Sequence, residues 1–200
     1  RLVARQDGTA DRECSFVGVG RPGQGGARAW SASLGGALCT HSLCARPARF
    51  DEITQRGVPF DVIDVSYYPC WHGSLEQLKQ NLNDVTRRYQ KDVVVLETAY
   101  AFTLEDADGH PNIFGPQARV AGYPVSVEGQ ATLVRDVMEA VAQVPGGRGL
   151  GVFYWEPAWL GVKGAGWRLG EGNAWENQAM FDFEGNARES LHVFGAVVER

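Results

Sequence analysis

The chain has 200 residues, 44% of them hydrophobic, a formal net charge of -5 and a pI near 5.4. That is enough for one domain with a core, and short for a complete (β/α)₈ barrel, which takes about 250 residues. The charge balance offers no global basic field for nucleic acid or an anionic membrane, and no apolar run approaches the roughly 20 residues of a membrane span. The chain starts at Arg1 with no charged-then-apolar signal segment, which predicts that the natural N-terminus lies upstream.

Composition divides the chain near residue 49. Residues 1–49 hold seven Arg and no Lys, Ile, Tyr, Asn or Met, for a charge of +4 against -9 in the remainder. They show glycine clusters (Arg21-Pro-Gly-Gln-Gly-Gly-Ala27) and no sustained hydrophobic period. The absent residue types mostly have AT-rich codons, so the segment reads as an irregular, out-of-frame translation of a GC-rich gene. A flexible linker and a poorly patterned folded segment are the alternatives. Cys14, Cys39, Cys44 and Cys70 lack metal-type spacing and read as free thiols, with two disulfides as the other option.

Residues 50–200 are regular. Phe50 and Ile53 end a helix that stops at Gly57, and Phe60–Val65 is a short, largely apolar strand. Ser74 with Gln77 makes a capping box, and Leu75, Leu78, Leu82, Val85 and Tyr89 form one helical face. Val93–Leu96 is a buried strand without alternation. Ser126 caps a helix with the stripe Ala131, Val134, Met138 and Val141, ended by Pro145-Gly-Gly. Gly149–Trp155 is a third strand, and Leu191, Phe194 and Val198 mark a last helix. Helices alternating with strands predict an α/β fold with parallel strands, either a barrel or a doubly wound sheet. No glycine-rich phosphate loop follows any strand, which removes the usual nucleotide-binding reading.

In a barrel, the C-terminal strand ends build the active site. Here they read Ser66-Tyr-Tyr-Pro-Cys-Trp-His-Gly73, Glu97-Thr-Ala-Tyr100 and Trp155-Glu-Pro-Ala-Trp159. Aromatic faces beside carboxylates suit a sugar site, because rings stack on pyranose C–H faces while carboxylates bond hydroxyls. Glu97, directly after an apolar strand, is the leading catalytic candidate, and Glu156 a weaker one. Tyr67 and Tyr68 are candidates to bond the nucleophile, with one of them expected in the core. Asp106-Ala-Asp-Gly-His-Pro-Asn112 places oxygen-bearing side chains on alternate residues, as a hard cation requires, and equally fits a plain polar turn.

The segments FDVIDVSYYPCWHGSLEQLKQNLNDV, DVVVLETAY, GLGVFYWEPAWL and AWENQAMFDFEGNARESLHVF resemble glycoside hydrolase family 53, the arabinogalactan endo-β-1,4-galactanases, over about residues 50–198. The resemblance implies strands 6–8, the C-terminal part of a (β/α)₈ TIM barrel, and retaining hydrolysis of β-1,4-galactan by a secreted enzyme. It implies Glu97 as nucleophile, Tyr68 in preference to Tyr67 as its orienting tyrosine, Trp155 under the cleaved sugar, and Trp71, His72 and Trp159 in the cleft. It also implies a structural Ca²⁺ held by Asp106, Asp108, the backbone of His110, and Asn112, with Asn173 and Glu176 at the matching positions of the strand-8 loop. Two departures stand out. The family's acid/base lies in an Asn-Glu pair on strand 4, and this chain has no such pair; Cys70 stands where an aromatic is usual. The expectation is therefore a fragment inactive alone, with a galactan-binding remnant or an unstable truncated product as alternatives. A clan relative acting on mannan or cellulose is a lesser one.

Overall fold

Three parallel strands carry the architecture: β3 (Val62–Ser66), β4 (Asp92–Glu97) and β5 (Gly149–Trp155). The computed structural model describes residues 16–18, 38–40 and 47–198. Two three-residue strands flank the central three. β1 (Phe16–Gly18) runs antiparallel to β5, and β2 (Leu38–Thr40) runs parallel to β3, giving the order β1-β5-β4-β3-β2. The hydrophobic pattern predicts only the central three, since three residues are too few to display a period. Most of the first 49 positions lie outside the described residues, and with them the out-of-frame reading and the side chains of Cys14, Cys39 and Cys44. Cys70 is a free thiol, half-buried, its pKa pushed up to about 11 by burial.

The connections are helical, as the alternation predicts. α1 (Pro47–Gln55) ends just before Gly57, which takes the left-handed conformation. α2 (Pro69–His72) is a single turn, and α3 (Leu75–Tyr89) follows the Ser74 cap. Ser74 Oγ accepts from the Gln77 N–H at 3.2 Å, and Gln77 Oε1 accepts from the Ser74 N–H at 2.8 Å. Two of the helix's unpaired amides are thereby satisfied. Leu78, Leu82 and Val85 are buried by α3; truncating either leucine to alanine would cost about 2–5 kcal/mol. Asp51 of α1 takes both the Arg88 guanidinium and, at 3.0 Å, the Tyr89 hydroxyl, pinning α1 to the end of α3.

α4 (Val127–Ala142) is capped by Ser126 and buries the predicted Ala131, Val134, Met138 and Val141, with Leu133 and Val137 beside them. One polar residue, Gln130, is wholly buried on the same helix. α5 (Glu189–Val198) packs on α4 through Val193 and Phe194. The helices thus cover one face of the sheet, and the C-terminal strand ends open onto long loops, 98–126 and 156–188. Among the described residues no helix is long and apolar enough to cross a membrane.

Candidate active site

A bulge decides which way Glu97 points. Residues paired across a parallel ladder face the same side, and Ile63, Asp64 and Val65 of β3 pair with Val93, Val94 and Val95 of β4. Ile63, Val65, Val93 and Val95 belong to the core. Strict alternation would send Glu97 into that core with Val93 and Val95. The register shifts by one instead, so that Ser66 pairs with Glu97 and the tyrosine N–H of residue 67 bonds the Glu97 carbonyl at 2.7 Å. The extra residue, Leu96, turns Glu97 onto the face of Ser66, where both line a cleft.

The two tyrosines separate by the same parity. Tyr68 follows Ser66 onto the cleft face, and its hydroxyl donates to Glu97 Oε2 at 3.1 Å. Burial, then the adjacent Glu97 charge, holds the Tyr68 phenol far above its ordinary range, so it stays a donor. Tyr67 follows Val65 inward; it is fully buried, its hydroxyl bonded to the Gly73 carbonyl at 3.2 Å. Tyr67 is therefore the core tyrosine and contributes no wall to the cleft. His72 secures Tyr68 from behind: its Nδ1 accepts the Tyr68 N–H at 3.0 Å. That bond fixes Nδ1 as the unprotonated nitrogen.

The cleft encloses about 300 Å³ and is lined by Ser66, Tyr68, Trp71, His72, Glu97, Ile113, Trp155, Trp167 and Trp175. Glu97 is the one carboxylate among these lining residues; Glu156, at φ 49° in the turn after β5, is not one of them. The aromatic rings form a connected wall. Tyr68 meets Trp175 edge-on at 5.7 Å and Trp71 at 5.2 Å, and Trp175 meets Trp167 at 6.0 Å. Trp159 stands one ring further out, 5.4 Å from Trp167 with its indole N–H on the Ala165 carbonyl, supporting the wall rather than lining it. Trp71 is the most exposed of these rings, at 54%. The Trp175 indole N–H and the Ser66 hydroxyl are buried without a protein partner among the described residues.

Trp167, Trp175 and Ile113 line the cleft from loop positions that no strand end or hydrophobic period marks in the sequence. Trp167 lies in a glycine-rich hairpin closed by the Ala165–Leu169 bridge, where no period marks an inward face. Trp175 lies in the quoted AWENQAMFDF segment, so its ring was visible, but only the folded loop brings it to Tyr68.

A second cluster sits behind this wall. One carboxylate oxygen each of Asp106, Asp108 and Glu176 lie within 4.8 Å of one another. Glu176 is completely buried; its Oε1 takes the Ala107 N–H at 2.5 Å, and its Oε2 has no partner. Burial, then the charges of Asp108 and Asp106, raise its pKa above the ordinary carboxylate value. Asn112 adds a buried, unpartnered Oδ1. Asn173 does not: its Oδ1 accepts from the Trp175 N–H, and its Nδ2 donates to the Trp159 and Leu160 carbonyls. Its backbone N–H holds Asp108 Oδ2 at 2.6 Å, so Asn173 ties the two loops together. His110 gives its N–H to Asp108 Oδ1. The loops meet so closely that a Cβ on Gly161 would lie 1.8 Å from Glu176 Oε2, and one on Gly172 would lie 2.3 Å from His110 Cβ.

Parallel strands backed by helices, with a carboxylate and an aromatic wall at their C-terminal ends, match the place where an α/β barrel carries its site. The family model for glycosyl hydrolase family 53 matches residues 41–194, and the chain belongs to that family. An endo-β-1,4-galactanase of Bacillus subtilis is 43% identical over 173 residues, covering 72% of this chain and 40% of that protein. An arabinogalactan endo-β-1,4-galactanase of Cellvibrio japonicus is 38% identical over 135 residues, covering 66% of this chain and 35% of that protein. The solved family 53 catalytic domain of Ignisphaera aggregans superposes with a TM-score of 0.74 at 43% identity, over 79% of this chain and 45% of that one. A Cellvibrio japonicus xylanase, only 14% identical with a TM-score of 0.52, shares the fold. The chain thus spans about two fifths of the length of the curated relatives it matches.

Proposed function

We propose that this chain is the C-terminal portion of an endo-acting, retaining β-1,4-galactanase with Glu97 as nucleophile. The observation that carries the reading is the Tyr68–Glu97 hydrogen bond, 3.1 Å long, inside a tryptophan-walled cleft at the strand ends. Glu97 attacks the anomeric carbon, the glycosidic C–O bond breaks, and a glycosyl ester forms that water later hydrolyses. Tyr68 holds Oε2 so that the other oxygen faces the sugar, while Trp155 and Trp175 offer ring faces. The substrate is galactan or arabinogalactan, a polymer met outside the cell, so the natural protein is secreted.

A retaining enzyme needs a second carboxylate about 5–5.5 Å away to protonate the leaving oxygen. Among the described cleft residues there is none besides Glu97. That observation favours a second reading for the chain alone, a module that binds galactan without cutting it. Loss of general acid assistance costs about 10²–10⁴-fold in rate.

The carboxylate cluster fits a structural Ca²⁺. Asp106, Asp108 and Glu176 form a hard, all-oxygen set, with the Asn112 side chain beside Glu176. Asp106, Asp108, Asn112 and Glu176 would hold the ion, whose charge would tie loop 98–126 to loop 156–188.

The test is reducing-end release from linear β-1,4-galactan by this chain and by an enzyme completed with strands 1–5 of a family relative. The chain is expected to bind galactan and release no ends, and the completed enzyme to cut. Glu97→Gln in the completed enzyme should keep binding and lower turnover by at least about 10³-fold. Near-normal turnover of Glu97→Gln sinks the nucleophile assignment, and robust cutting by the chain alone sinks the account of the missing acid.

A further inference from the structure

We propose that Gln130 is a positioning residue for the cleft: its buried amide locks together the three strand-end segments that carry Glu97, Trp155 and Trp175. Gln130 sits in the first turns of α4 and is fully buried among apolar residues. Its Nε2 lies 2.8 Å from the Tyr100 carbonyl, 3.1 Å from the Ala179 carbonyl, and 3.3 Å from both the Gln178 carbonyl and the Tyr154 hydroxyl. Each partner is a short step from a cleft residue. Tyr100 follows Glu97 by three positions, Tyr154 immediately precedes Trp155, and Gln178 and Ala179 follow Trp175 by three and four.

The arrangement admits one orientation of the amide. Four oxygens surround the nitrogen, and three are carbonyls that can only accept. A flipped amide would set its own oxygen against them. Ser190 of α5, also fully buried, donates to Gln130 Oε1 at 2.6 Å and fixes the orientation from the other side. Tyr154 extends the lock: its hydroxyl donates to the Gln178 carbonyl at 2.7 Å and accepts the Tyr100 N–H at 3.0 Å. A helix that needed only to cover the sheet would use an apolar side chain here, since a buried amide stabilises only when all its groups are paired. The loops that meet here have no regular ladder of their own, so this hub supplies backbone partners that strands would otherwise give.

The inference deepens the galactanase reading and rests on it only for the sugar-binding arm of its test. Gln130→Met keeps the volume and removes both donors without burying a charge. Val141→Ala, a buried change at the far end of α4, serves as the stability comparator. Both are made in the whole chain and measured where far-ultraviolet circular dichroism shows them folded. Without sugar, acrylamide quenching of tryptophan fluorescence should rise and the near-ultraviolet indole bands should change in Gln130→Met, and neither should in Val141→Ala. Galactotetraose affinity should fall about tenfold in Gln130→Met, the scale of a lost buried hydrogen bond or two, and stay level in Val141→Ala. If Gln130→Met does not fold, Ser190→Ala removes the donor to Gln130 Oε1, leaves that buried oxygen unpaired, and should give the same changes at smaller size. Folded variants with unaltered quenching and near-ultraviolet bands overturn the proposal. A wild-type chain that ignores galactotetraose overturns the galactan reading instead, and the sugar-free measurements still decide the role of Gln130.

Discussion

Glu97 ends β4 and Glu176 lies in the loop after β5, and the fold treats these two acids in opposite ways. Glu97 lines the cleft, where a phenol hydroxyl donates to one of its oxygens. Glu176 is shut inside the protein, where one oxygen takes a backbone N–H, the Asn112 side chain lies beside the carboxylate, and two aspartates add like charge. The first acid is oriented by a phenol donor; the second sits where burial and two neighbouring carboxylates disfavour its charge. In the proposed function the first acts on sugar, and the second helps a cation hold the two loops together.

The largest effect that would break this contrast is the response to calcium. Saturating Ca²⁺ at about 100 times its dissociation constant should stabilise the chain by about 2.7 kcal/mol, read as a rise in melting temperature that chelator reverses. Asp106→Ala combined with Asp108→Ala should abolish the rise, and Glu97→Gln should leave it intact. A melting temperature indifferent to chelator would reduce the cluster to a polar turn.

Tyr68→Phe sharpens the other side. Removing the donor to Glu97 should lower kcat/KM of the completed enzyme about tenfold to thirtyfold, as loss of a hydrogen bond to a charged group does. Tyr67→Phe, which removes only a buried hydroxyl from the Gly73 carbonyl, should cost roughly 1 kcal/mol of stability and leave kcat/KM near its starting value. Equal catalytic losses in the two would mean that the parity assigned to these residues is wrong.

The smallest effect concerns pH without metal. Glu176 has its pKa raised by burial and by Asp108 and Asp106, so the folded state favours the protonated acid. Its contribution is most favourable below the unfolded-state pKa and is lost as pH climbs from there through the raised folded value. Calcium-free chain should therefore lose stability over that rise, and Glu176→Gln should flatten the dependence. A wild-type profile with no such slope would show that the charge is already balanced in the fold.

Sequence alone determined much of this protein. The capping box at Ser74, the apolar faces of α3 and α4, and the three central strands follow from local spacing and from amides that must be paired. Glu97, Tyr68, Trp71, His72 and Trp155 were legible because they stand at strand ends, where an α/β barrel puts its site. Tertiary structure alone decided which face each residue takes. Every position of β3 is buried, so hydrophobicity could not say whether Tyr67 or Tyr68 meets the core. The Leu96 bulge reverses the parity that alternation assigns to Glu97. Trp167 and Trp175 join the wall, and Glu176 reaches Asp106 and Asp108, through loops whose course is set by distant partners: the Asn173 bonds to loop 98–126 and the Gln130 amide beneath. Periodicity reports the contacts of a regular element with its own neighbours; it is silent where the chain's shape is fixed by hydrogen bonds to residues tens of positions away.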